Sequence, residues 1–323
     1  MHRFAWLRTA LIALLMVGSS AHAQLFRTYV ASDGNDANPC NLQQPCRLLP
    51  AALAAVADGG EIWMLDSANY NTATVAITKG VTILAVPGAL GSVVGGSGGT
   101  QTAIAVNAPG KAVTLKNLVI RAFSSDADIG VLVSNARTVT IEDCTVTGFV
   151  GPITNGLGVW ANVTAALQGD NRPAVNVLNT TVRGGTIGIL FQGNVRGTVA
   201  GSRVVGNGGI GVGVRSAGGQ FADASVSDTV SNGNGTGYYA EASGAAAQGA
   251  RMYATRSVAS YNGGGGFVTS NNEWALIQVD ASMASQNSAG AFINQGSGVF
   301  QSRGNNSTGS SGNSGTIVVV PGT

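Results

Sequence analysis

Residues 260–270 read SYNGGGGFVTS, and the fold turns on whether this stretch is a tether or a corner. Relatives of it recur as VGNGGIGVGV at 205–214, SNGNGTGYYA at 231–240 and SQNSAGAFIN at 285–294. Aligning the chain on itself puts an Asn, Asp or Ser three residues ahead of a column that begins Ile or Val. The pairs are Asn117/Ile120, Asp143/Val146, Asn179/Val182, Ser202/Val205, Ser227/Val230, Ser257/Ser260 and Ser282/Ser285. The first column steps by 26, 36, 23, 25, 30 and 25 residues. A second polar column follows as Asn207, Asn232, Asn262 and Asn287. Each repeat then carries a small residue and an alternating apolar segment: GVLV from Gly130, GVWA from Gly158, GILF from Gly188, GVGV from Gly211, GYYA from Gly237 and GFVT from Gly266.

Short alternating segments punctuated by Gly, Asn and Ser are strands broken by turns. A period of roughly 25 residues with several strands per repeat marks a solenoid. Leucine-rich repeats share that period but need a fixed leucine framework, which is missing. The pattern therefore predicts an all-β fold, a right-handed, single-stranded parallel β-helix. About eight or nine coils stacked ~4.8 Å apart give a rod about 40 Å long. The glycines are expected to take positive-φ corner conformations, and the polar columns to hydrogen-bond along the rod. A hydrophobic content of 44% with 10% charged residues and 48 glycines is too apolar for a disordered glycine-rich tail.

An open coil end needs a cover. RLLPAALAAVADGG at 47–60 predicts a capping helix from about Pro50 to Ala57, stopped by Gly59 or Gly60. Residues 29–70, YVASDGNDANPCNLQQPCRLLPAALAAVADGGEIWMLDSANY, resemble the opening of bacterial exported right-handed parallel β-helix proteins of the pectate-lyase-like superfamily. Such proteins begin with a YVS..G.D..NPC....PCRT...A segment, a capping helix and a GGEI.VLD.G.Y strand. Leu48-Leu49-Pro50 and Ser67-Ala68-Asn69 depart from that pattern. FQSRGNNSTGSSGNSGT at 300–316 resembles the final coil of these proteins. The resemblance implies an exported β-helix and carries no catalytic residue to this chain.

Arg3 and Arg8, the apolar run Leu11 to Val17, and Ala21-His22-Ala23 form a secretory signal peptide cut after Ala23. The domains are then 1–23, signal, and 24–323, β-helix, with 24–60 as its cap segment. The mature chain is expected in the periplasm or outside the cell, with no membrane span and a monomer as the default. Cutting there leaves 15 basic against 15 acidic residues and removes both histidines. A neutral chain argues against nucleic acid and anionic membrane as partners. Cys40 and Cys46 are close enough for a disulfide in an oxidising compartment. Cys144 reads as a buried free thiol. No histidine and no second cysteine pair exist to complete a metal site.

On a scaffold of this kind, β-elimination of an acidic polysaccharide needs an Arg or Lys base with Ca²⁺ held by several carboxylates. The nearest approach is Glu142, Asp143 and Arg183, with Lys116 and Arg121, and Ca²⁺ as a cofactor under that reading alone. Their columns count against it. Lys116 and Glu142 fall at one place on consecutive coils, as an exposed ion pair. Asp143 has a corner role. SDGNDAN, with Asp33 and Asp36, lacks the length of a cation loop and reads as a polar turn. Ligand-binding residues are expected on the irregular coils: Trp160, Asp170 and Arg172 in the long interval, and Tyr239 and Arg251, near Tyr238, Glu241 and Tyr253, in another. Aromatic rings beside charged groups suit sugars. The favoured function is a non-catalytic exported β-helix facing a glycan or envelope partner. The alternative is a polysaccharide lyase or hydrolase with an atypical site.

Overall fold

The computed structural model describes residues 24–96, 101–151, 156–165, 171–244, 249–271, 273–309 and 311–321. Residues 1–23, expected from the sequence to be a signal peptide, and Asp170 lie outside the described residues. The chain winds into a parallel β-solenoid of about 10 turns, rather than eight or nine. Each turn contributes a strand to three faces. On the first face, Ile104, Val131, Val159, Ile189, Val212, Tyr238, Phe267 and Phe292 pair in succession. On the second, the succession is Leu115, Ile141, Val177, Val199, Val226, Ala254 and Val279. On the third, built from strands as short as three residues, it is Ile120, Val146, Val182, Val204, Ser231, Ala259 and Ala284. These side chains point inward and are buried. Because period-2 alternation turns every second residue into the same space, one core runs the length of the rod. Toward the C-terminal end it becomes aromatic: Tyr238 stacks on Phe267 with centroids 4.5 Å apart, and Phe292 meets Phe300 at 5.2 Å.

The corner between the second and third faces is two residues long on successive coils, and those two residues do different work. The first, Asn117, Asp143, Asn179, Gly201, Asp228, Arg256 and Ala281, is left-handed, with φ between 44° and 59°. The second, in the later coils, is Thr180, Ser202, Thr229, Ser257 and Ser282. Each of these hydroxyls donates to the carbonyl two residues back, at 2.7 to 3.0 Å. Across coils they also accept, from Thr180 N to Ser202 Oγ at 3.2 Å and from Ser257 N to Ser282 Oγ at 3.0 Å. Ser202, Ser257 and Ser282 thus stand in one line, as expected. Ser227 does not: it pairs with Ala200 and Thr255 inside the second face, and Thr229 takes its place. The reason is that Asn, Asp and Ser suit both corner positions, so matching by residue type slips by one or two.

The next corner carries the amide column, which is Asn207, Asn234, Asn262 and Asn287. The backbone N–H of each of the first three donates to the Oδ1 of the next coil's amide, at 2.9 to 3.1 Å, and Asn287 N donates to Ser311 Oγ at 3.0 Å. Asn232 belongs elsewhere, on the third face between Val205 and Ser260. The glycine column needs a different account from the expected one. Gly130, Gly158, Gly188, Gly211, Gly237 and Gly266 do not have positive φ. A Cβ on any of them would lie 2.4 to 2.7 Å from the carbonyl oxygen of the equivalent residue one coil on. Close approach, not backbone freedom, keeps them glycine.

The capping helix spans Leu49–Ala55, with Pro50 in its first turn and Leu49, Ala52 and Leu53 buried over the first coil. It ends earlier than expected. Val56 is already extended and begins the strand Val56–Met64, which pairs with Leu25–Val30, so neither Gly59 nor Gly60 stops it. Cys40 and Cys46 form a disulfide, Cα atoms 4.7 Å apart, and Cys46 N donates to Tyr29 O at 3.0 Å. Ile317–Val319 pairs with Val299–Ser302 as a closing strand.

Cys144 is the buried free thiol, and its position explains it. It occupies the hydroxyl column: Cys144 Sγ donates to Glu142 O at 3.2 Å, and Leu118 N donates to the sulfur at 3.4 Å. Burial pushes the thiol up to about 12. It should therefore resist a maleimide in the folded protein at mildly alkaline pH and react once denatured. Cys144→Ser restores the residue type of the neighbouring coils and should change unfolding free energy by less than about 1 kcal/mol. Rapid labelling of the native protein would contradict this placement.

Candidate functional site

Two residues after each glycine of the close-packed column, the first face turns a side chain outward. The row runs Ala105, Leu132, Trp160, Leu190, Gly213, Tyr239, Val268 and Ile293. Beside it, at the start of the same strands, lie Ile129, Leu157, Ile187 and Ile210. With Leu190 these form an apolar cluster outside the core, and Leu132, Trp160 and Tyr239 pack against it. Two residues further along is a polar row, Asn162, Gln192, Arg215, Glu241 and Ser270.

The two rows are tied together. Trp160 Nε1 donates to Gln192 Oε1 at 3.1 Å, which fixes the indole by its edge. Arg215 Nε lies 2.9 Å from Glu241 Oε2, and its guanidinium sits 5.7 Å from the centre of the Tyr239 ring. Partial burial raises the Tyr239 pKa, opposed by a hydrogen bond with Ser270, so the phenol stays protonated near neutrality. At the base of these strands, a depression of about 420 Å³ is lined by Val150, Gly151, Thr186, Ile187, Gly209, Ile210 and Arg215. The whole forms a shallow apolar shelf with aromatic rings, edged by hydrogen-bonding groups.

Trp160 and Tyr239 therefore share one face. Among the described residues, Tyr238, Arg172, Arg251 and Tyr253 do not join them. Tyr238 points inward, wholly buried, and donates its hydroxyl to Thr229 O at 2.8 Å. Arg172 is 8% exposed and holds structure: it pairs with Asp223 and donates to Phe221 O at 3.1 Å. Its guanidinium lies 4.5 Å from the Phe221 ring centre, and that of Arg251 lies 5.0 Å from the same ring. Arg172 and Arg251 thus meet at Phe221 on the second face, where Arg251 and Tyr253 pair with Asp223 and Ser225. Neighbours in sequence, Tyr239 and Arg251, end on different faces because the chain turns a corner between them.

The carboxylates considered for elimination chemistry are held by one cation. Lys116 Nζ is 3.1 Å from Glu142 and 3.7 Å from Asp143, all partly exposed. Arg183 is exposed on the third face, beyond the corner, and its side chain makes no ion pair with either among the described residues. Among the described residues no three His, Cys, Asp or Glu side chains gather as a metal site. No helix there is long and apolar enough to cross a membrane.

Glu241, grouped with Tyr239 from the sequence, does lie beside it, whereas Gln192 and Arg215 were not expected. Their signal was available as the position four residues after the glycine column, just as the aromatic row lies two residues after it.

No protein-family model matches the chain, and no curated protein matches it. Solved structures do. A pectate lyase, Pel9A, aligns with TM-score 0.54 at 15% identity over 87% of this chain and 78% of its own. The Dettilon tailspike protein aligns with TM-score 0.54 at 12% identity over 97% and 74%. A rhamnogalacturonan lyase aligns with TM-score 0.51 at 13% identity over 92% and 85%. The chain is a parallel β-helix, of the same fold as these pectate-lyase-like solenoids.

Proposed function

We propose that this chain is an exported, non-catalytic β-helix that binds a glycan along its first face. The observation that carries this reading is the outward row containing Trp160 and Tyr239, seated on an apolar cluster and edged by Gln192, Arg215 and Glu241. Rings and aliphatic side chains suit the C–H faces of sugars, and the amide, guanidinium and carboxylate suit their hydroxyls. Two structural neighbours, a pectate lyase and a rhamnogalacturonan lyase, add support for a carbohydrate as the partner. Against lyase chemistry stands the placement of Arg183 away from Glu142 and Asp143, both engaged by Lys116.

A glycan array followed by calorimetry on the best ligand tests this. Trp160→Ala and Tyr239→Ala should each weaken binding about tenfold, with the unfolding midpoint little changed. Equal affinity in both variants would remove the first face as the site. Release of unsaturated or reducing ends from a polysaccharide would instead favour the enzymatic reading.

A further inference from the structure

The chain as a whole is close to neutral, but its charges are not evenly answered. Along the corner beside the third face, the carboxylates already hold cations: Asp143 meets Lys116 at 3.7 Å, and Asp228 takes two hydrogen bonds of 2.8 Å from Arg256. On the third face itself, Arg121, Arg183 and Arg203 are exposed. Among the described residues their side chains have no carboxylate partner and no hydrogen bond. All three project outward, because each adjoins an inward residue of the core, Ile120, Val182 or Val204.

Register fixes their spacing. Arg121 and Arg183 both pair with Thr147, on either side, so they stand two coils apart, about 10 Å. Arg203 pairs with Thr181, one coil beyond and two residues back from Arg183. Thr145, Thr147 and Thr181 fill the positions between them. The stretch from Arg121 to Arg203 is thus a flat strip of guanidinium forks separated by hydroxyls, with no acidic residue on the paired strands.

We infer that the third face, through Arg121, Arg183 and Arg203, binds a linear anionic polysaccharide lying along the rod axis. The free guanidinium forks match sulfate or carboxylate groups, and the threonines offer hydrogen bonds at each intervening step. This suits a hydroxylated polymer better than a lipid surface. The inference is independent of the glycan reading for the first face, since the two outward rows lie on different sheets.

The test is binding of the full chain to heparin and to polygalacturonate across roughly 50 to 200 mM salt. Wild type should bind at least one polymer. The triple variant Arg121→Ser/Arg183→Ser/Arg203→Ser should bind at least about tenfold more weakly, with a salt slope flattened by about 2, roughly 0.7 per lost contact. Its unfolding midpoint should match wild type, because all three side chains are exposed. Trp160→Ala should leave polyanion binding unchanged, which separates this site from the first face. The inference is overturned if neither polymer binds, if the triple variant binds as wild type does, or if only Trp160→Ala reduces binding. Binding to phosphatidylglycerol vesicles without binding to either polymer also overturns it.

Discussion

Gly237→Ala is expected to destabilise the fold by about 3 kcal/mol, although Gly237 has an ordinary negative φ and alanine is a conservative replacement. A Cβ there would lie 2.5 Å from Gly266 O, 2.9 Å from Asn262 Nδ2 and 3.1 Å from Ala259 Cβ. The first is a carbonyl oxygen of the adjacent coil, fixed by its own ladder. Relief requires the two coils to separate, and coil spacing is what every ladder hydrogen bond depends on. Gly208→Ala is the control. A Cβ at Gly208 meets nothing within 4 Å, so the change should be neutral or slightly stabilising, by reducing the freedom of the unfolded chain. Chemical denaturation of the two variants beside wild type decides the matter. Equal midpoints would show that the coils yield at no cost, and the account of the whole glycine column would fail.

The second large effect is expected at Asn262. Its Oδ1 accepts from Asn234 N at 2.9 Å, while its Nδ2 donates to Ser231 O at 3.1 Å and to Asn287 Oδ1 at 2.8 Å. Asn262 is buried, 1% exposed, as are Asn234 and Ser231. Asn262→Ala leaves the buried donor Asn234 N without its acceptor and removes the side-chain bonds to Ser231 O and Asn287 Oδ1. The expected loss is about 3 kcal/mol. Because the amides form a chain, Asn234→Ala combined with Asn262→Ala should cost less than the two single changes added together. Thermal or urea unfolding of the four proteins measures both quantities. Simple additivity would mean that the amides act singly.

The repeat was legible because each face imposes its own pattern: inward aliphatics at every second residue, glycine where coils touch, and a polar residue at each corner. What the sequence concealed was phase. Asp143 and Asn179 occupy the left-handed corner position, whereas Ser202, Ser257 and Ser282 occupy the next one. Both positions accept short polar side chains, one for backbone conformation and the other for a hydroxyl bridge. Residue type alone merges them. Asn232 and Asn234 were confused for a similar reason, since each precedes a glycine. The first-face site was half legible. Trp160 and Tyr239 could be named, but grouping by proximity along the chain also drew in Arg172, Arg251 and Tyr253. Counting from the glycine column separates them.

The constant two-residue corner has a consequence for how such a chain can grow. It returns the winding to the same phase on every turn, so variation in repeat length is accommodated at the other bends without shifting which side chains face inward. A single residue added at Asp228-Thr229 would turn the following short strand inside out, whereas added chain at Ala217–Gln220 would only project further into solvent. The rod therefore offers itself as a display scaffold, with one seam that must keep its length and two along which guest loops can be carried.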